Sequence, residues 1–171
     1  MDTKSLITVA RLIDELGKIE GRTRLQKIVH LLSERFPADF RQAFTLHYFG
    51  PFSRELASEV EFLVAARILD EHLPAEGTTE RFRYTIAGDQ ARNRMAVAHC
   101  NLAPELVDLA RQLNQKDKTT LEALSTFVFL RSRLPKEAAL LQREFVRVKQ
   151  HLANRFDEAA ALANELLPSQ E

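Results

Sequence analysis

The chain has 171 residues, of which 45% are hydrophobic, and its 24 lysines and arginines balance its 24 aspartates and glutamates. This length fits one domain, or a small domain with a helical appendage, and the hydrophobic fraction is sufficient for a buried core. Residues 1–95 contain 14 basic and 14 acidic residues, and residues 96–171 contain 10 of each. Neither part has the basic excess typical of a nucleic-acid-binding domain, although zero net charge is compatible with a local basic patch.

The cysteine content and the first residues indicate a reducing compartment. Cys100 is the one cysteine, so no intrachain disulfide can form. The initial MDTKSLITVARLIDELG is interrupted by Arg11, Asp14 and Glu15 and lacks the apolar core of a signal peptide. No apolar run reaches the roughly 18 residues that a membrane-spanning helix needs. We therefore expect a cytoplasmic protein that does not enter the membrane.

The N-terminal part begins with two predicted helices. Apolar residues at helical spacing predict a helix over residues 3–16 and another from Thr23 to Phe36. Thr23 and Gln26 match a T-x-x-Q capping box for the second helix. Gly21 is predicted to turn the chain between the two helices.

A strand, a third helix and a hairpin are predicted to follow. Phe44 to Tyr48 predicts a short strand, and Ser53 is expected to cap the third helix. After that helix, Ile68-Leu69, the turn-like PAEGTT at 74–79 and the alternating RFRYTI at 81–86 predict a β-hairpin.

This order of elements favours a mostly α (α+β) fold. Helix, helix, short strand, helix, two-stranded hairpin is the order of a winged helix. The sequence therefore predicts a winged helix-turn-helix-like domain with a two-stranded wing over residues 1–97. A generic α+β domain with a hairpin is the alternative.

Residues 98–171 are predicted to be a helical C-terminal region, which either packs with the first domain as one unit or stands apart. Pro104 fits the first position of a helix, and Thr119 with Glu122 matches a second capping box. A further helix is predicted from Pro135 to about His151, and a last helix follows a hinge at residues 154–156.

Two segments resemble a known family. They are GRTRLQKIVHLL at 21–32 and HYFGPFSREL at 47–56. Together they resemble the YwgA-like family of uncharacterised bacterial and archaeal proteins and, more distantly, the Panacea domain of SocA-type antitoxins. In those proteins an L-Q-K-L helix is followed by a Y-G-P turn and an E-L helix start. The helical segments at 121–130 and 146–167 extend the YwgA-like resemblance over nearly the whole chain.

The resemblance implies contact with a protein partner, because Panacea-type antitoxins neutralise a partner by direct contact. It is carried by matched positions: Arg22, Arg24, Gln26, Lys27, Tyr48, Gly50 and Pro51. Gly50 and Pro51 are predicted to fix a tight turn into the third helix. Tyr48 is predicted to point inward from its strand.

Basic side chains are the candidate interaction residues: Arg22, Arg24, Lys27, Arg54, Arg81 and Arg83. Arg24 and Lys27 are three apart and lie on one helical face. They either bind phosphate or an acidic partner, or form a solvated charged rim. Arg81 and Arg83 are two apart and share one face of the predicted wing.

No catalytic, cofactor-binding or metal-binding residues are predicted. The five histidines are scattered, and no glycine-rich phosphate loop is present. The leading hypothesis is a non-catalytic regulatory or protein-interaction module, antitoxin-like or associated with phage or mobile-element defence. A DNA-binding winged-helix transcriptional regulator is the alternative, although Glu55, Glu59 and Glu61 on the third helix would repel phosphates. An uncharted enzyme is a third hypothesis, and homodimer formation stays open.

Overall fold

The computed structural model describes residues 3–73, 82–96, 101–135 and 137–168. These residues form mostly helix, with a small antiparallel sheet, as the α+β prediction requires. The helices are α1 (Thr3–Leu16), α2 (Arg22–Arg35), α3 (Arg54–Ala65), α4 (Gly88–Ala96), α5 (Pro104–Gln115), α6 (Lys118–Arg131), α7 (Ala138–Val148) and α8 (Phe156–Leu166), with a 3₁₀ helix at Gln150–Arg155. The strands are β1 (Ile19–Glu20), β2 (Thr45–His47), β3 (Gly50–Phe52), β4 (Leu69–His72) and β5 (Arg83–Ile86). No helix within these ranges is both long and apolar enough to cross a membrane.

The strands form two separate antiparallel sheets. One has the order β1-β5-β4, with Ile19 opposite Tyr84 and Leu69 opposite Ile86. The other is the hairpin of β2 and β3, in which Leu46 lies opposite Pro51. The predicted strand over residues 44–48 is therefore shorter, and it pairs with a strand that the sequence did not predict. The PAEGTT segment lies outside the described residues.

The two predicted capping boxes are wrong. Helix α2 begins at Arg22 after Gly21, which supplies no side-chain cap. Helix α6 is capped by Asp117, whose carboxylate accepts from the Thr119 and Thr120 amides at 2.9 and 3.0 Å. Both helices begin before the predicted cap residue, so the side chains of Gln26 and Glu122 make their contacts elsewhere.

Two other predicted helix starts, at Ser53 and Pro104, are confirmed. Ser53 caps α3, since its Oγ accepts from the Leu56 amide at 3.2 Å. Pro104 begins α5. The helix expected from Pro135 begins only at Ala138, and the predicted hinge at 154–156 spans the end of the 3₁₀ helix and the start of α8.

Helix α6 lies at the centre of the molecule. Every residue from 120 to 130 is buried, and the helix packs against α2, α7, α8 and β3. A helix that is apolar on all sides is typically surrounded by protein. One continuous buried cluster joins the N-terminal elements to the C-terminal helices. The boundary at 97–98 stays a prediction, and Cys100 lies outside the described residues.

Candidate functional site

The two segments that carry the family resemblance are joined by the side chain of Gln26. The Gln26 Nε2 donates to the Ser53 carbonyl at 2.9 Å, and the Ser53 amide donates to Gln26 Oε1 at 2.8 Å. Both bonds are buried. Because Ser53 is the N-cap of α3, this glutamine fixes the start of α3 against the side of α2.

Gly50 places the β2–β3 hairpin close to both α2 and α6. Its φ of 103° lies in the region that favours glycine. A Cβ at this position would meet Thr126 Oγ1 at 3.5 Å, Ser125 Oγ at 3.6 Å and Lys27 Cε at 3.7 Å. The buried Pro51 follows it in β3. The predicted Gly-Pro turn is wrong, because the turn lies at Tyr48-Phe49 and Gly50 and Pro51 belong to β3. As part of this strand, Gly50 seats the hairpin directly over the side chain of Lys27.

Lys27, Glu122 and Lys149 form a buried charged cluster beneath this hairpin. Their exposed fractions are 2%, 6% and 1%. The Lys149 ammonium donates to Glu122 Oε1 at 2.7 Å and also to the Tyr48 carbonyl. His151 Nε2 lies 3.5 Å from the same carboxylate oxygen. Glu122 is thus the carboxylate that balances the buried ammonium of Lys149.

Lys27 corrects the predicted solvated rim, because it is buried under the hairpin. Burial lowers the pKa of its ammonium to about 8; the nearby Glu122 raises it, while Lys149, Lys118 and Arg24 lower it further. A lysine in this setting carries its charge at neutral pH at a cost in stability.

Substitution Lys27→Met is expected to remove a pH dependence of stability. The pKa of Lys27 is about 8 in the folded chain and 10.5 in its ordinary state. Between these two pH values, the unfolded chain binds more protons than the folded chain. The free energy of unfolding should therefore rise with pH in this window, by up to about 1.4 kcal/mol per pH unit. Urea unfolding of both proteins from neutral pH upwards measures it, with the exposed Lys4→Met as control. Parallel profiles for wild type and Lys27→Met would contradict the assignment.

An apolar groove of about 480 Å³ lies between the start of α2, one face of α3 and the β4–β5 strands. Its apolar lining consists of Leu25, Phe52, Leu56, Ala57, Val60, Val64 and Ala65. The polar groups at the groove include Arg22, Glu61 and Glu71. The groove can therefore accept apolar side chains and hold a charged one at its edge.

Arg22 and Glu71 are locked together at this edge. The Arg22 Nη2 donates to Glu71 Oε1 at 2.9 Å, and the Tyr84 hydroxyl donates to the same oxygen at 2.6 Å. Burial raises the pKa of the Glu71 carboxyl, but these hydrogen bonds outweigh burial and hold the pKa below its ordinary value. The guanidinium also lies 4.1 Å from the centroid of the Phe82 ring. Arg22 is consequently a fixed part of the groove edge.

The remaining predicted basic residues are dispersed. Arg24 donates to the carbonyls of Asn114 and Lys116 at 2.8 and 2.9 Å and so ties α2 to the end of α5. Arg54 and Arg83 are exposed on α3 and β5. Arg81 lies outside the described residues.

Two predicted orientations are wrong. Tyr48 is 80% exposed, because it lies in the turn between β2 and β3, where Lys149 donates to its carbonyl and its ring contacts that of Phe49. Glu59, expected on the exposed face of α3, is 5% exposed and accepts from Gln42 Nε2 at 2.7 Å. The exposed face of α3 is therefore less acidic than the sequence suggested.

The chain is similar to the uncharacterized protein YwgA of Bacillus subtilis (strain 168). The two are 26% identical over 159 residues, which cover 91% of this chain and 92% of that protein. No protein-family model matches the chain. The similarity supports the YwgA-like resemblance, while the likeness to the Panacea domain stays a prediction.

Proposed function

We propose that this chain is a non-catalytic protein-interaction module that holds an apolar segment of a partner in the groove between α2, α3 and the β4–β5 strands. An antitoxin-like role, in which the held partner is silenced, is the form that the Panacea likeness favours. The observation that carries the proposal is the groove itself, with seven apolar residues along its walls.

The spacing of the apolar residues along one wall of the groove suits a helical segment. Amphipathic helices bind in apolar grooves through side chains spaced three, four and seven residues apart. Leu56, Val60 and Val64 repeat every four residues along α3 and form one wall. Each leucine-sized side chain buried there would contribute about 1.5–3 kcal/mol.

The charges at the edge favour a basic partner. Glu71 is already paired with Arg22. Glu61 lines the groove, is exposed, and makes no ion pair with any residue that the structure describes. A lysine or arginine beside the apolar face of the partner would complement Glu61.

A winged helix is the fold proposed for residues 1–97. The β1-β5-β4 order supports it, since the strand between α1 and α2 joins the two strands that follow α3. In this arrangement the groove lies between the would-be recognition helix and the wing strands.

The DNA-binding alternative has less support. It requires a continuous basic strip on the surface. Arg22, however, is paired with Glu71, and Lys27 is buried. Arg24 donates to the Asn114 carbonyl in α5 and to the Lys116 carbonyl just after that helix. Arg54 and Arg83 remain as exposed basic groups among its candidates.

Substitution Ala57→Arg is expected to block partner binding without unfolding the chain. Ala57 is half-buried and lines the groove, so a long charged side chain there would occupy the space of an apolar anchor. The measurement is fluorescence anisotropy with synthetic amphipathic helices whose apolar face is flanked either by lysine or by glutamate.

The lysine-flanked helix should bind at least about tenfold more tightly than the glutamate-flanked one, and Ala57→Arg should weaken it by at least as much. Ser58→Arg, on an exposed position of α3 that does not line the groove, is the matched control. Equal binding by both peptides, or equal loss in both variants, would contradict the proposal.

A further inference from the structure

A second, smaller recess lies where the starts of α2 and α6 meet. We call it the α2–α6 pit. It has a volume of about 60 Å³ and is bordered by Glu20, Gly21, Thr23, Arg24, Lys27 and Lys118. Because one water needs about 10–15 Å³ of such space, the pit has room for a group of several heavy atoms.

The pit carries a surplus of positive charge. Arg24, Lys27 and Lys118 supply three cations, and Glu20 supplies one carboxylate. That carboxylate is already paired, since the Lys18 ammonium donates to Glu20 Oε1 at 2.8 Å. Three cations and one carboxylate therefore border the pit, and that carboxylate also balances the charge of Lys18.

The start of α2 adds to this positive potential. The helix is 14 residues long, its N-cap Gly21 makes no side-chain cap bond, and its first turn contains no acidic residue. The amide groups at such a helix start attract anions. The start of α6 differs, because Asp117 already accepts from its first amides. That helix contributes the ammonium of Lys118 instead.

Lys27 is the independent observation that points to a ligand. Its side chain is 2% exposed and borders the pit, and its ammonium forms no hydrogen bond with the described residues. Glu122 acts on Lys27 through charge, but the ammonium that donates to Glu122 is that of Lys149. A lysine side chain this buried, with no hydrogen bond to a described residue, gains stability from a ligand that accepts its protons.

We propose that the α2–α6 pit binds the phosphate group of a small phosphomonoester or of free phosphate. A doubly charged tetrahedral anion matches the three cations and the helix start better than a singly charged planar carboxylate does. Lys27 donates to it from the floor, Lys118 from the rim, and Arg24 adds charge while it holds the end of α5.

Titration of the full chain with inorganic phosphate, followed by calorimetry, tests this proposal. Phosphate should bind, acetate should bind at least about tenfold more weakly, and Lys27→Met and Lys118→Met should each weaken phosphate binding at least about tenfold. Lys4→Met, which removes an exposed lysine of α1, should leave the affinity unchanged. Glycerol 3-phosphate in place of phosphate distinguishes an ester ligand from the free ion.

Urea unfolding of each variant separates a folding defect from a binding defect, and Lys118→Met provides a test at an exposed position. Phosphate and acetate that bind equally would overturn the proposal. Phosphate binding that survives both Lys27→Met and Lys118→Met would overturn it as well. Neither result depends on the apolar groove, so the outcome is distinct from that of the peptide experiment.

Discussion

Replacing Glu122 by leucine is expected to lower the free energy of unfolding by about 3–5 kcal/mol, the usual cost of removing one partner from a buried ion pair. Leucine would fit the apolar surroundings of α6, but it would leave the buried Lys149 without its carboxylate at 2.7 Å. Lys27 would also lose the charge that favours its ammonium form. Urea unfolding at neutral pH measures the change.

A double variant separates the charge effect from packing. With Lys149→Met added, no ammonium remains where Lys149 was buried, and we expect more than half of the lost stability to return. Glu165→Leu, at an exposed position of α8, is the matched control and should change stability by less than about 0.5 kcal/mol. If the double variant were as unstable as Glu122→Leu alone, the pair would not be the cause.

Replacing Gln26 by leucine is expected to cost about 2–4 kcal/mol of stability. The side chain satisfies the buried amide and the buried carbonyl of Ser53, and each orphaned group costs about 1–3 kcal/mol. The loss should be local as well as global. Hydrogen exchange at the Leu56 amide, which Ser53 caps, should accelerate in the variant.

Gln142→Leu tests whether the loss is specific. Gln142 is an exposed glutamine on α7, and its substitution should change the free energy of unfolding by less than about 0.5 kcal/mol. Equal effects of the two substitutions would show that Gln26 does not clamp α3. Unchanged exchange at Leu56 in Gln26→Leu would lead to the same conclusion.

Local signals predicted the helices well where the decisive partner was also local. Ser53 caps α3 because its hydroxyl needs only the amide three residues later, and Pro104 begins α5 because its fixed backbone suits a first turn. The capping boxes failed for the opposite reason. Gln26 and Glu122 each have a partner 27 residues away, which no local pattern encodes.

The burial of Lys27 had a weak signal in the sequence. Five of the eight residues from Leu25 to Leu32 are apolar, and in α2 all eight are buried. Likewise, the apolar residues of LEALSTFVFL occur on all faces of α6, which places Glu122 inside the molecule. Because a charged residue is costly to bury, its presence in such an apolar run indicates either a functional role or pairing with a residue distant in the sequence.

Tyr48 and the groove could not be predicted from periodicity. The strand pattern assigned Tyr48 to alternation, but a turn interrupts the strand after His47, so the side chain points to solvent. The groove combines residues from α2, α3, β4 and β5, and its volume depends on how those elements pack.

The most direct test of the proposed function is an NMR titration of the isotope-labelled chain with the lysine-flanked peptide, with duplex DNA at low salt as the parallel sample. We expect the peptide to shift the resonances of Leu56, Val60 and Val64 in the groove, and Ala57→Arg to abolish those shifts. A peptide that leaves the groove unchanged, together with DNA that shifts Arg54 and Arg83, would contradict the protein-interaction account and favour the DNA-binding alternative.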